Sequence, residues 1–118
     1  MKCLYQILKK KIYKTKFSQN KKKFPKPNLI SYNINKGEEI ILCIYDYTTE
    51  KFYDMNTLIY VSIHELAHIG NPTLGHDESF YYIFNNLLEE AIRLKVYKFF
   101  DYEKIPQKYC GIIIKSNI

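Results

Sequence analysis

Residues 64–80 read His64-Glu65-Leu66-Ala67-His68-Ile69-Gly70-Asn71-Pro72-Thr73-Leu74-Gly75-His76-Asp77-Glu78-Ser79-Phe80. The stretch opens on the pattern HExxH. On a helix, four residues advance the chain by about 6 Å and slightly more than one turn. His64 and His68 therefore face the same way and can share one metal ion. Glu65 stands one residue round the helix, placed to reach a water on that ion rather than the ion itself. His76 follows His64 by twelve residues, about 18 Å along an unbroken helix and far out of range. The helix must end and the chain turn back, and Gly70, Asn71, Pro72 and Gly75 fall where that turn is needed. Gly70 is expected as the left-handed residue that closes the helix, with Pro72 preventing its continuation. The chain has three histidines, all within this window. Three protein ligands and one open position form the catalytic zinc pattern, whereas structural zinc is usually closed by four. His64, His68 and His76 are thus the candidate Zn2+ ligands, and Glu65 is the candidate catalytic base.

Working outward, Asp54 is an N-cap candidate for a helix from Met55 to about Ile69, with Leu58, Ile59, Val61, Ile63 and Leu66 as its apolar surface. Asp77 is the N-cap candidate of a second helix running to about Tyr97. Its apolar positions, Phe80, Ile83, Phe84, Leu87, Leu88, Ala91 and Ile92, keep a 3.6-residue period. Upstream, Leu29 to Ile34 and Glu39 to Asp46 read as strands around an Asn35-Lys36-Gly37 turn. Ile40 to Tyr45 is apolar on both faces, which suits a buried strand. Ile112 to Ile114 reads as a last short strand. The fold class is α+β, a small β-sheet packed beside the HExxH helix and a second amphipathic helix.

The 118 residues, 47% hydrophobic and 25% charged, make one small globular domain. The net charge of +6 is unevenly distributed. Before Glu38 there are eleven lysines and no acid; from Glu38 onward twelve acids face six lysines and Arg93, a balance of −5. Residues 1–28 are expected to be a basic, flexible arm, with Pro25-Lys26-Pro27 as an extended linker, and residues 29–118 the domain. Within the arm, Leu4, Ile7, Leu8 and Ile12 could share one face of a short helix. Lysines at 2–26 suit DNA or RNA phosphates, or an anionic membrane surface. They are equally explained by coding bias in a lysine-rich, arginine-poor chain. No apolar run approaches the ~20 residues of a membrane span, and the first residues lack the pattern of a secretory signal. Cys3, Cys43 and Cys110 are sparse and odd in number, which argues against disulfides and for an intracellular, reducing setting, cytoplasmic or nuclear, rather than secretion.

Other ligand sets can be weighed by spacing. A metzincin would need Gly at 71 and His at 74, where this chain has Asn71 and Leu74. A thermolysin-like site would take Glu89 or Glu90 from the second helix in place of His76; both would also serve as a solvated face beside Arg93. Asp77 could orient His76 as a hydrogen-bond acceptor, or simply cap the helix. Tyr81, Tyr82 and Tyr109 are the candidates to stabilise an oxyanion, although most of twelve tyrosines must be packing residues.

Read as HELAHIGNPTLGHDESF, residues 64–80 resemble the WLM and SprT/Spartan metallopeptidases, which pair HExxH with a downstream His-x-x-x-aromatic element; His76 and Phe80 supply it here. The chain is more closely similar to WLM-like metallopeptidases of giant DNA viruses. That likeness spans about residues 31–114 and rests on Asn35-Lys36-Gly37-Glu38, Tyr53 to Leu58, the HELAH block, Leu87 to Ile92 and Tyr109-Cys110-Gly111. The resemblance implies a zincin-like minimal fold, zinc on His64, His68 and His76, and Glu65 as base. It also implies a metalloendopeptidase that cuts proteins attached to DNA, in a virus-infected cell or virion. A regulatory peptidase with one protein substrate, and a zinc-stabilised nucleic-acid-binding module without catalysis, are the competing readings.

Overall fold

A computed structural model describes residues 15–22, 25–26, 29–72 and 75–115. Two helices of equal length organise it. The first, α1 (Met55–Gly70), starts where Asp54 accepts hydrogen bonds from the Thr57 backbone N–H at 2.9 Å and the Thr57 hydroxyl at 2.7 Å. The second, α2 (Glu78–Arg93), starts where Asp77 accepts from the Phe80 N–H at 2.9 Å. Both helices thus begin at the expected caps. α1 is buried on two sides, against α2 and against a sheet, which explains why apolar residues occupy most of its circumference. α2 buries one stripe, Phe80, Ile83, Phe84, Leu88 and Ala91. It ends at Arg93, short of the expected Tyr97, and Lys95 takes a left-handed φ of 62° just beyond. Tyr97 is instead buried with Tyr102 around Tyr60 of α1.

The sheet has three strands, β1 (Lys16–Gln19), β2 (Tyr32–Ile34) and β3 (Glu39–Leu42), in the order β1-β3-β2. β3 lies at the centre, parallel to β1 and antiparallel to β2, and Ile40 is fully buried. Two small hairpins complete the fold: β4 (Tyr45–Asp46) with β5 (Lys51–Phe52), and β6 (Gln107–Tyr109) with β7 (Ile112–Ile114). The strand expected over Ile112–Ile114 is β7, and Cys110 and Gly111 turn the hairpin with φ of 47° and 88°.

Several expectations are corrected. Residues 16–20 of the stretch read as a flexible arm belong to the fold: β1 pairs with β3, and Asn20 is buried. Lys16, Phe17 and Gln19 are exposed, so β1 carries almost no apolar signal. The face made by Leu4, Ile7, Leu8 and Ile12 lies outside the described residues. The strand expected from Leu29 begins only at Tyr32, because the Asn20 carboxamide takes the Leu29 and Ile30 carbonyls, each at 2.9 Å. The strand expected to reach Asp46 breaks after Leu42, where the Cys43 N–H turns to Ser31 Oγ at 2.9 Å. Gly70 remains helical; α1 is closed by Asn71, extended at φ −83°, and the left-handed glycine of the turn is Gly75, φ 88°. Cys43 and Cys110, expected as free thiols, form a disulfide across 67 residues with Cα atoms 6.6 Å apart. The cysteines therefore do not argue for a reducing compartment. Among the described residues, no helix is long and apolar enough to cross a membrane.

Candidate metal centre

α1 presents different residues to its two neighbours. Residues four apart share a helix face, so Glu65 and Ile69 lie together, and His64 and His68 lie together on the adjacent face. Ile69 packs against Ile40 of β3. The β2–β3 turn comes down on the same spot, and a Cβ on Gly37 would sit 3.1 Å from Ile69 Cγ2. At φ 114° and in that space, only glycine fits. The Glu65 face of α1 is thereby covered by the sheet, and the histidine face meets α2. Phe80 lies against all three imidazoles, with ring centroids 5.0 Å from His64, 4.3 Å from His68 and 4.8 Å from His76. Phe84 backs His64 at 5.3 Å.

The turn after α1 brings His76 back over the helix. His76 Nε2 lies 3.1 Å from His64 Nε2 and 3.1 Å from His68 Nε2. Among the described residues, these three form the group able to hold a metal. His64 and His68 are half-buried and His76 is exposed, which leaves that side open to solvent. Burial lowers the His64 pKa to about 3 and the His68 pKa to about 4, and the neighbouring imidazoles act in the same direction. Both rings are therefore neutral at physiological pH, the form that binds metal. Zinc held tetrahedrally by imidazoles at 2.0–2.1 Å keeps its nitrogens about 3.3 Å apart; the observed spacing agrees within a few tenths of an ångström. Three Nε2 atoms aimed at one point repel one another unless a shared cation, or a proton for one pair, lies between them. The residues fit zinc.

Glu65 is 4% exposed, and its burial raises the pKa to about 7 against the lowering effect of a hydrogen bond from Asn33. Asn33 Nδ2 donates to Glu65 Oε2 at 3.4 Å. The alternative ligands lie elsewhere: Glu90 is paired with Arg93, and Glu89 is exposed. Asp77 Oδ1 caps α2 and also accepts from Asn71 Nδ2 at 3.2 Å. The Tyr109 hydroxyl donates to the Cys43 carbonyl at 2.7 Å and meets Ser31 Oγ at 2.5 Å, so it braces the β6–β7 hairpin against the end of β3. Burial pushes its pKa up to about 12. Tyr81 is half-buried and Tyr82 exposed on α2.

Two residues of the site carried no functional signal in sequence. Asn33 was hidden inside a strand reading, although a polar residue flanked by Tyr32 and Ile34 on a short strand points to the opposite face from them. Asn71 is 1% exposed and joins the two helices, donating to Asp77 and accepting from Ser79 Oγ at 2.6 Å. It holds the turn that returns His76.

Comparison with known proteins identifies the family and the fold. The chain is 39% identical over 94 residues to an uncharacterized protein of Acanthamoeba polyphaga mimivirus, a match covering 80% of this chain and 48% of that one. It is 39% identical over 82 residues to an uncharacterized protein of Invertebrate iridescent virus 6, covering 68% and 44%. The chain thus spans about half the length of the curated relatives it matches. Among solved structures it is similar to Wss1 from Saccharomyces cerevisiae, at 25% identity and a TM-score of 0.57, covering 67% of this chain and 59% of that one. A Wss1 mutant from the same organism superposes with a TM-score of 0.62 at 22% identity, covering 77% and 70%. The WLM domain family model matches residues 6–109, and the chain belongs to the WLM family.

Proposed function

We propose that this protein is a zinc-dependent metalloendopeptidase that hydrolyses peptide bonds in proteins associated with nucleic acid. The observation that carries the reading is the convergence of three Nε2 atoms beside a buried carboxylate, with one side of the site open. His64, His68 and His76 would hold the metal as neutral imidazoles, and Phe80 fixes their ring positions. When bound, zinc supplies Lewis acidity to an attacking water and to the carbonyl under attack. Glu65 accepts the proton of that water at its carboxylate and then delivers it to the leaving amine. The burial of Glu65 keeps bulk water from competing for that proton. Membership of a metallopeptidase family supports the reaction class. The lysines of residues 2–26 support a nucleic-acid partner through phosphate contacts, which would make binding salt-dependent and largely indifferent to base sequence.

A Glu65→Gln variant tests the reading. It keeps shape and hydrogen bonding but removes the base, so zinc should remain at about one per chain. Hydrolysis should fall by about two to four orders of magnitude. The assay should include single-stranded DNA, double-stranded DNA and DNA-bound proteins as activators and substrates. Equal hydrolysis by wild type and variant would remove the catalytic reading and leave a zinc-stabilised binding module.

A further inference from the structure

We propose that Asn33 is a positioning residue for Glu65, its carboxamide holding one carboxylate oxygen under the edge strand so that the other faces the metal position. The inference rests on the peptidase reading above and adds a residue to it.

The geometry follows from two periodicities meeting. Asn33 and Ile40 are direct partners across the β2–β3 ladder. Cross-strand partners point their side chains to the same face of a sheet. Ile40 is fully buried against Ile69 of α1, so this face is the one turned to the helix. Glu65 precedes Ile69 by four residues and lies beside it on the helix surface. The pair Asn33–Ile40 therefore sits over the pair Glu65–Ile69, apolar on apolar and amide on carboxylate. The Asn33 Nδ2 to Glu65 Oε2 contact of 3.4 Å is the polar half of that match. Gly37 lets the β2–β3 turn approach Ile69 closely, since a Cβ there would lie 3.1 Å from Ile69 Cγ2.

A carboxylate 4% exposed needs a donor to compensate for lost water. It also needs to be held in one rotation, because a base that turns away from the water loses the geometric advantage of the site. Asn33 can do both, since its amide nitrogen donates while the residue stays anchored in the sheet. At 3.4 Å the bond is long for an N–H···O contact.

The experiment compares wild type, Asn33→Leu, Asn33→Gln and Glu65→Gln, all with measured zinc content and melting temperature. Leucine is nearly isosteric with asparagine but has no donor; glutamine restores a donor on a longer arm. For Asn33→Leu, kcat should fall by about 10–100-fold with zinc retained, the range found for residues that orient a metal site. KM should stay within about threefold, because the contact serves the reacting geometry rather than substrate binding. A zinc-chelating phosphinic peptide, which mimics the tetrahedral state, should bind about as much more weakly as kcat falls. Asn33→Gln should recover part of both losses. Full kcat and full phosphinic-peptide affinity in a zinc-loaded Asn33→Leu protein would overturn the proposal. If that variant does not fold, Asn33→Ala, which also lacks the donor, takes its place, and full kcat with full phosphinic-peptide affinity in that zinc-loaded protein would do the same. Equal activity of wild type and Glu65→Gln would instead point to failure of the peptidase reading, so the two failures stay separate.

Discussion

The helical half and the strand half of this molecule are built on different terms. α1 and α2 are each 16 residues long, capped at both ends, and joined by a turn that Asn71, Asp77 and Ser79 hold together. Every candidate ligand and the candidate base lie within thirteen residues of one another on that unit. The strands are two to four residues long and fall into three separate sheets. They are tied together by side chains from distant parts of the chain: Asn20 on the Leu29 and Ile30 carbonyls, Tyr109 on the Cys43 carbonyl, Tyr53 Oη accepting from the Cys110 N–H at 2.8 Å, and the Cys43–Cys110 disulfide. The helices carry the chemistry on rigid, locally determined backbone. The strand layer covers the inner face of α1 and presents one donor to it. Damage to the two halves should therefore read out differently, as lost metal and activity in one and as lost stability in the other.

The largest separation is expected at His76. His76→Ala removes one of three ligands without touching the core, since the side chain is exposed. It should lose most of its zinc and all measurable hydrolysis. Its melting temperature should fall only to that of chelator-treated wild type. Zinc at a thousandfold excess over its dissociation constant is worth about 4 kcal/mol, and this sets the size of the common shift. Zinc retained in full by His76→Ala would break the comparison and remove His76 from the ligand set.

In the strand half, the disulfide should have the largest effect. A cross-link spanning 67 residues is worth about 2–4 kcal/mol, towards the upper end for so long a loop. Oxidised and reduced wild type should differ by that amount in denaturant unfolding and hold zinc equally well. Tyr109→Phe should cost about 1–3 kcal/mol, because it leaves the Cys43 carbonyl without its donor in a buried setting. Per folded molecule, hydrolysis should be unchanged. A loss of kcat on the scale of an oxyanion donor, about 10²–10³-fold, would instead bring Tyr109 into the reaction.

What was legible in the sequence divides along the same line. Helix caps, helical period and the HExxH pattern are local, so Asp54, Asp77, His64, Glu65 and His68 could be read directly, and His76 followed from the turn residues before it. The strand half depends on contacts that leave no local trace. β1 is a parallel partner some twenty residues upstream of β3 and is dominated by exposed, polar side chains. Neither the count nor the spacing of the cysteines reports that two chain segments 67 residues apart meet. Asn33 faces Glu65 across 32 residues, and a single asparagine in a strand has many ordinary explanations. Gly70 departs from expectation for a different reason: a glycine near a helix end favours a left-handed cap, but here Asn71 and Pro72 end the helix one residue later.

The smallest expected effect lies at Asp77, where the two halves of the site's chemistry can be told apart most finely. Its carboxylate caps α2 through the Phe80 N–H and also receives the Asn71 amide. Asparagine caps helices about as well as aspartate, whereas alanine does not cap and typically costs about 1 kcal/mol. Asp77→Ala should therefore lower stability by about 1 kcal/mol and loosen the turn that carries His76. Asp77→Asn should cost a few tenths of a kcal/mol at most if capping is the whole role. Zinc affinity then decides between cap and orienter. A carboxylate that orients a ligating imidazole is worth about 10–100-fold in metal affinity, and the amide would not replace it. Asp77→Asn is expected to bind zinc as wild type does, measured by competition with a chromophoric chelator. A tenfold loss in that variant, with its melting temperature unchanged, would assign Asp77 to His76 rather than to the helix alone.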